Sequence, residues 1–159
     1  MDREILFRGK RVDNGEWAYG HYVNCSGPGC QPNETRHYIV EYPNAWNEIY
    51  TSTLGQYTGL TDRNGKRIFE GDIVKYTFDS PEDPFATDYG LVPRVGRVFW
   101  SEWRASFAVT AGRNGSSALN NDVARYVRGR SIYEYVRGAN TVEVIGNICD
   151  NPELLGGAE

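Results

Sequence analysis

Histidine and cysteine are scarce in this chain of 159 residues, which has two histidines and three cysteines. An odd number of cysteines does not resemble a disulfide framework and fits a reducing compartment. The chain also lacks a GxSxG nucleophile elbow and a glycine-rich loop that follows a strand and opens a helix, which nucleotide-binding enzymes use to hold phosphate. We therefore expect no enzyme and no cofactor.

Long apolar runs are absent too. No stretch approaches the ~18 apolar residues that a membrane span needs, and the first residues, Met1-Asp2-Arg3-Glu4, are charged. We expect a cytoplasmic protein without a membrane segment. The formal charge of −4 argues against a generic polyanion binder, and 40% apolar residues suffice for a modest core.

Strand signals and tight turns dominate the residues that are present. Between Gly55 and Tyr76, two strand-like segments flank Asn64-Gly65, a pair that tolerates the positive φ angles of hairpin turns. Asp13-Asn14-Gly15 predicts another hairpin near the start of the chain. Further strands are predicted at 4–10, 36–42, 49–57, 73–78, 90–101, 105–110 and 141–147. One helical turn is predicted near Pro152, and 120–123 is open between helix and strand.

Three blocks of sequence carry a family resemblance. They are REILFRGKRVDNGEWAYG at 3–20, GQYTGLTDRNGKRIFEGDIVKY at 55–76 and VIGNICDNPELL at 144–155. Together and in this order they resemble the YopX family of phage and prophage proteins. The resemblance implies a β-rich fold ending in a barrel similar to SH3 domains, and it brings no catalytic or ligand-binding residues. The chain departs from the family around Cys25 to Cys30 and in the acidic insert 79–88.

The predicted fold is therefore mainly β, with two small antiparallel subdomains. We place an N-terminal β subdomain at 1–60 and a C-terminal SH3-like barrel at 61–155, followed by a loose tail at 156–159. The insert near 79–88 is predicted to be an exposed excursion, because its two prolines cannot donate to a central ladder.

One set of residues has the atoms of a tetrahedral zinc site, namely His21, Cys25, Cys30 and His37. The spacing of these residues is unlike that of recognised structural sites, so we predict no metal. The interpretation without a metal is two loop cysteines and two half-exposed strand histidines.

A second set lies in a segment where arginines and tyrosines interleave, RYVRGRSIYEYVR at 125–137. Arginines that bind phosphate beside tyrosines that stack on bases are typical of single-strand binding by small β-barrels. The competing interpretation is that the tyrosines pack while the arginines face solvent or acidic residues. The candidate nucleic-acid-binding residues are Arg125, Arg128, Arg130, Tyr133, Tyr135 and Arg137.

A third set comes from the abundance of aromatic residues, four Trp and 11 Tyr. Such side chains are favoured in protein interfaces, although small barrels also fill their interiors with large rings. The candidate interface residues are Tyr42, Trp46, Tyr50, Trp100 and Trp103. The leading hypothesis is a phage accessory protein that contacts a host or phage protein, or forms a homo-oligomer. The alternative is an RNA- or DNA-binding module that uses 125–137.

Catalysis has one weak candidate, the carboxylates of Asp62, Glu70 and Asp72. Asp62 belongs to the predicted Asn-Gly turn, and Glu70-Gly71-Asp72 has the composition of a structural corner. The sequence therefore predicts no acid/base pair there.

Overall fold

A computed structural model describes residues 4–25, 35–77, 79, 81–82, 84–102, 105–110 and 142–156 of the chain. Within these residues the regular structure consists of antiparallel strands, one short α-helix and two 3₁₀-helices. The prediction of a mainly β, antiparallel fold is confirmed. The chain divides into two units, Met1–Gly59 and Leu60–Glu159.

The first unit is built on two hairpins, in the spatial order β4-β3-β2-β1-β5. Its strands are β1 (Phe7–Lys10), β2 (Trp17–Cys25), β3 (Arg36–Glu41), β4 (Ala45–Glu48) and β5 (Gly55–Thr61). Gly15, with φ of 73°, closes the first hairpin at the predicted Asp-Asn-Gly turn. Isolated pairing of Arg11 with Ile49 links the end of β1 to the end of β4, so the sheet curls around its inner face.

Alternation along the strands gives this sheet one inner and one outer face. Ala18, Ile39 and Ile49 are buried on the inner face, with Phe7, Tyr22 and Leu54 packed against them. Side chains one position along each strand point to the outer face. This outer face carries the exposed aromatic residues Trp46 and Tyr50.

The second unit starts within β5, which continues as far as Thr61 before a turn leads to β6 (Arg67–Phe69). A second sheet follows in the order β10-β7-β8-β9, formed by β7 (Asp72–Tyr76), β8 (Arg94–Ser101), β9 (Ser106–Val109) and β10 (Glu143–Asn147). Its core contains Ile68, Val74, Tyr76, Val98, Phe107, Val109, Val142 and Val144. Over the described residues the second sheet is open, so closure of an SH3-like barrel is the one part of the expected fold that they do not show.

Two predicted elements differ from the structure, and one observed strand was not predicted. Residues 49–54, predicted as strand, hold the Ile49 bridge and a 3₁₀-helix at Thr51–Thr53, and the strand begins at Gly55. Residues 90–93 belong to the end of α1 (Asp88–Leu91) and a bend, so β8 starts later than predicted. Strand β4 is absent from the predictions, because Ala45 and Asn47 have low strand propensity.

The insert is closed at its base by side-chain hydrogen bonds. Asp79 accepts from the backbone N–H of Thr87 at 2.9 Å and from its hydroxyl at 3.0 Å, and Thr87 in turn caps α1. Phe85 and Tyr89 are exposed, which agrees with the predicted excursion. The Arg94 guanidinium stacks on Tyr89, 4.5 Å from the ring centroid.

The other predictions at the chain end are confirmed as well. A 3₁₀-helix covers Pro152–Leu155 with Pro152 in its first turn, and β10 pairs with β7. Among the described residues, no helix combines the length and apolar character that spanning a bilayer would require. Residues 157–159 of the predicted tail 156–159, and the ambiguous segment 120–123, lie outside the described residues.

Candidate interaction surface

The outer side of β4 presents an aromatic and acidic surface. Ile39 on β3 pairs with Asn47, and both are buried on the inner face. Trp46 and Glu48 therefore point outwards. The backbone is still extended at Tyr50 (φ −71°, ψ 117°), so Tyr50 follows the same alternation. We call this region, formed by Trp46, Glu48 and Tyr50 with Tyr38 and Val12 beside them, the β4 surface.

Neighbouring strands hold the members of the β4 surface in place. Tyr38 pairs with Glu48 across the sheet, and its ring meets that of Trp46 edge-on, with 5.7 Å between centroids. On the other side, the Val12 N–H donates to the Glu48 carbonyl at 2.9 Å. The Tyr50 N–H donates to the Lys10 carbonyl at 2.9 Å. Backbone pairing on both sides thus fixes where these side chains emerge.

Exposure distinguishes this surface from the core. Trp46 is 58% exposed and Tyr50 is 51% exposed, although both are large and largely apolar. Val12 is exposed beside them. Clustered exposed apolar side chains of this kind mark interaction sites more often than isolated ones do.

Glu48 forms a long ion pair with Arg36. Arg36 lies 3.8 Å from the Glu48 carboxylate, and both side chains are nearly half exposed. A short pair occurs at the nearby turn, where the Arg11 guanidinium donates to both carboxylate oxygens of Asp13 at 3.0 and 2.6 Å. Those hydrogen bonds, opposed by desolvation and supported by the charge of Arg11, lower the pKa of Asp13. The Asp13 carboxylate is thus ionised and already paired with Arg11.

The predicted interface residues fall in different places. Tyr42 is 98% exposed at the β3–β4 turn, next to the β4 surface in sequence, and Trp46 and Tyr50 are within that surface. Trp100 lies in the second unit, 43% exposed, and packs edge-on against Phe107 at 5.1 Å. Trp100 is therefore partly a core residue. Trp103 lies outside the described residues.

The candidate zinc ligands do not converge. His21 pairs with Val40 on the outer face, whereas His37 pairs with Asn24 on the inner one. The Tyr22 hydroxyl and the His37 Nδ1 are hydrogen-bonded at 2.6 Å. Cys25 is disulfide-bonded, so its thiolate is not available to a metal, and Cys30 lies outside the described residues. In the described part of the chain no cluster of three or more metal-ligating side chains occurs.

The disulfide corrects one expectation from the sequence. The odd cysteine count predicted no disulfide framework, yet Cys25 is in a disulfide, whereas Cys149 is not. A single bridge needs only two of three cysteines, so parity alone could not exclude it.

All three candidate carboxylates accept backbone hydrogen bonds, and that of Glu70 is a long one, from the N–H of Trp100 at 3.4 Å. Asp62 is buried and accepts from the N–H groups of Asn64, Lys66 and Val144 at 2.8 to 2.9 Å. Asp72 is buried and accepts from the N–H of Phe69 at 2.8 Å. These hydrogen bonds give Asp62 and Asp72 a structural role in their turns. The sequence predicted such a role for the Glu70-Gly71-Asp72 corner.

The candidate nucleic-acid-binding residues Arg125, Arg128, Arg130, Tyr133, Tyr135 and Arg137 all lie outside the described residues. The hypothesis built on them stays a prediction from the sequence.

Sequence analysis missed Tyr38, Glu48 and Val12 as parts of one surface. The signal that could have found them is the period of two in Trp46, Glu48 and Tyr50. It is hidden because a polar residue, Asn47, is the buried one, and two large aromatic residues are the exposed ones.

The structure thus defines a two-unit antiparallel β protein with an exposed aromatic surface on the first unit. The chain belongs to the YopX family, since the family model described as YopX protein matches residues 6–156, nearly the whole sequence. The resemblance seen in the three sequence blocks is thereby confirmed.

The chain is similar to a solved structure described as the crystal structure of protein EF1440 from Enterococcus faecalis, with 19% identity and a TM-score of 0.45. That match covers 97% of this chain and 99% of the other. The search of curated proteins found no match.

Proposed function

We propose that this protein is a non-catalytic protein–protein interaction module, encoded by a phage or prophage and acting in the bacterial cytoplasm. The observation that carries the proposal is the exposure of Trp46 and Tyr50 on one rigid strand face, beside Tyr42 at the adjoining turn. Trp and Tyr dominate the energetic centres of protein interfaces, because they bury much area at low entropic cost.

A lack of catalysis is part of the proposal. Its support is that the buried carboxylates Asp62 and Asp72 accept backbone hydrogen bonds that stabilise turns. The phage or prophage origin is supported by the family to which the chain belongs.

The test is an affinity capture from the bacterial host after nuclease treatment, with tagged wild-type protein and the variant W46A/Y50A. We expect a discrete protein to be retained by the wild type and lost from the variant. F85A is the matched control, because Phe85 is a still more exposed aromatic residue in the second unit. Loss with F85A as well, or retention by W46A/Y50A, would remove the proposal.

The other predicted partners, nucleic acid and a second copy of this chain, can be tested alongside. Nucleic acid recovered without nuclease and lost with it would instead favour the arginine–tyrosine segment 125–137. Light scattering of the purified wild type and W46A/Y50A would reveal a homo-oligomer that uses the β4 surface. Rapid alkylation of thiols in intact cells tests the location: a Cys25 that reacts as a thiol would support the cytoplasm, whereas a Cys25 still held in its disulfide would contradict it.

A further inference from the structure

We propose that the β4 surface binds an arginine side chain of the partner protein, with Glu48 accepting the guanidinium and the rings of Trp46 and Tyr50 packing on either side. This inference rests on the proposed function and names the chemistry of the partner segment. The proposed partner is a cationic protein segment. Binding of nucleic acid or of a second copy of this chain to the β4 surface would be a contrary result of the test.

The placement of Glu48 among aromatic rings is the first argument. Trp46 and Tyr50 are each two residues from Glu48 on an extended chain, so the side chains emerge about 7 Å apart on the same face. Tyr38 is directly opposite Glu48 on β3, and Val12 flanks it on the other side. The carboxylate is thus the one charged group of β4 on this face, with large rings before and after it along the strand.

The charge of the surface is the second argument. A carboxylate repels phosphate and attracts a cation, which favours a cationic protein segment over nucleic acid for this surface. The cation already near Glu48 is the guanidinium of Arg36, at 3.8 Å. A pair so long and so exposed contributes little stability, so an incoming guanidinium can replace Arg36 at small cost.

The preference for arginine over lysine is the third argument. A guanidinium is planar, stacks on aromatic faces and can bind a carboxylate through two N–H groups at once. The protein makes such stacks elsewhere, with Arg94 over Tyr89 at 4.5 Å and Arg8 over Trp17 at 4.6 Å. The β4 surface offers the same rings together with a carboxylate acceptor.

The test is calorimetric titration of the full chain with three peptides that differ only in the central residue. The first is acetyl-Pro-Pro-Arg-Pro-Pro-amide, the second has lysine and the third has citrulline, which keeps the shape of arginine without its charge. We expect the arginine peptide to bind, the lysine peptide to bind more weakly, and the citrulline peptide to bind about tenfold more weakly than the first.

Variants of the protein locate the binding. E48Q should weaken the arginine peptide about tenfold, and R36Q should strengthen it severalfold because the internal competitor is gone. E153Q is the control, since it removes an exposed carboxylate far along the chain in the second unit. All three positions are exposed or half exposed, and near-ultraviolet circular dichroism would verify that each variant is folded.

Any one of three results of the peptide titration would overturn the inference. They are no binding of the arginine peptide at millimolar concentration, equal binding of the citrulline peptide, or binding unchanged by E48Q. Tighter binding of a fluorescent single-stranded oligonucleotide that W46A weakens would also overturn it, as would a dimer that W46A dissociates without any effect of arginine. If captured protein still depends on Trp46 and Tyr50 while the peptide arm fails, the proposed function stands and only the arginine inference falls.

Discussion

At the scale of single residues, the buried carboxylate of Asp62 stabilises the turn that follows β5. Asp62 accepts three backbone hydrogen bonds, two from its own turn and one from Val144 at the start of β10. One carboxylate therefore connects residues 82 positions apart in the chain. Hydrogen bonds to a charged acceptor are stronger than neutral ones, and the one from Val144 is buried with the carboxylate.

We predict that Asp62→Ala destabilises the protein by about 3 kcal/mol, because three N–H groups lose their acceptor. Urea unfolding followed by fluorescence measures the change. Asp88→Asn, at an exposed position, should change stability by less than about 0.5 kcal/mol. Similar losses in the two variants would contradict the role given to Asp62.

A second residue-scale prediction concerns the Arg11–Asp13 pair. Hydrogen bonds from Arg11 lower the pKa of Asp13, so the pair contributes stability above the unfolded-state pKa and loses it as the pH falls through the folded-state pKa. We expect Arg11→Gln to raise the pKa of Asp13 towards its ordinary value, as measured by carboxyl NMR titration. An unchanged Asp13 titration in this variant would show that the pair does not form in solution.

At the scale of elements, β2 and β3 approach closely because of a glycine. A Cβ placed on Gly20 would meet the carbonyl oxygen of Val40 and lie 2.8 Å from its carbonyl carbon. These are backbone atoms that cannot rotate away. Gly15 is different, since it has open space around it and only its positive φ of 73° favours glycine.

Gly20→Ala should therefore destabilise the protein by about 3 kcal/mol, whereas Gly15→Ala should cost about 1 kcal/mol. Thermal or urea unfolding of the two variants measures the difference. Equal costs would mean that β2 and β3 can separate without penalty, which would contradict the close pairing that positions β4.

Much of the strand pattern could be predicted, because turn chemistry and alternation agree there. The Gly15 and Gly65 turns, strand β3 before Pro43, and the strand that ends the second sheet all follow from local sequence. Strand β4 could not be predicted, since its inward residue is Asn47, whose side-chain NH₂ donates to the carbonyls of Ile39 and Ala45 at 3.4 Å.

The candidate site was predictable only in part for the same reason. Tyr42, Trp46 and Tyr50 could be singled out because exposed-type aromatics are typical of interfaces. Glu48 and Tyr38 could not, because their proximity depends on the β3–β4 register. Cross-strand pairing is a tertiary property that no single segment of sequence reveals.

At the scale of the whole molecule, a small acidic β protein of the YopX family presents large aromatic side chains on a strand face of its first unit. The hydrogen bonds within the turns account for the buried carboxylates, whereas the exposed rings of Trp46 and Tyr50 belong to neither of the hydrophobic cores formed by the described residues. Binding of a protein partner gives that exposure a physical reason, because association would bury both rings.

The most direct test of this account replaces Trp46 by a photo-crosslinking phenylalanine analogue in cells of the bacterial host and identifies the adducts by mass spectrometry. The same analogue at Phe85 serves as the control position. The account predicts a discrete protein adduct from position 46 that position 85 does not give. Identical adducts from both positions, or a nucleic-acid adduct from position 46, would contradict it.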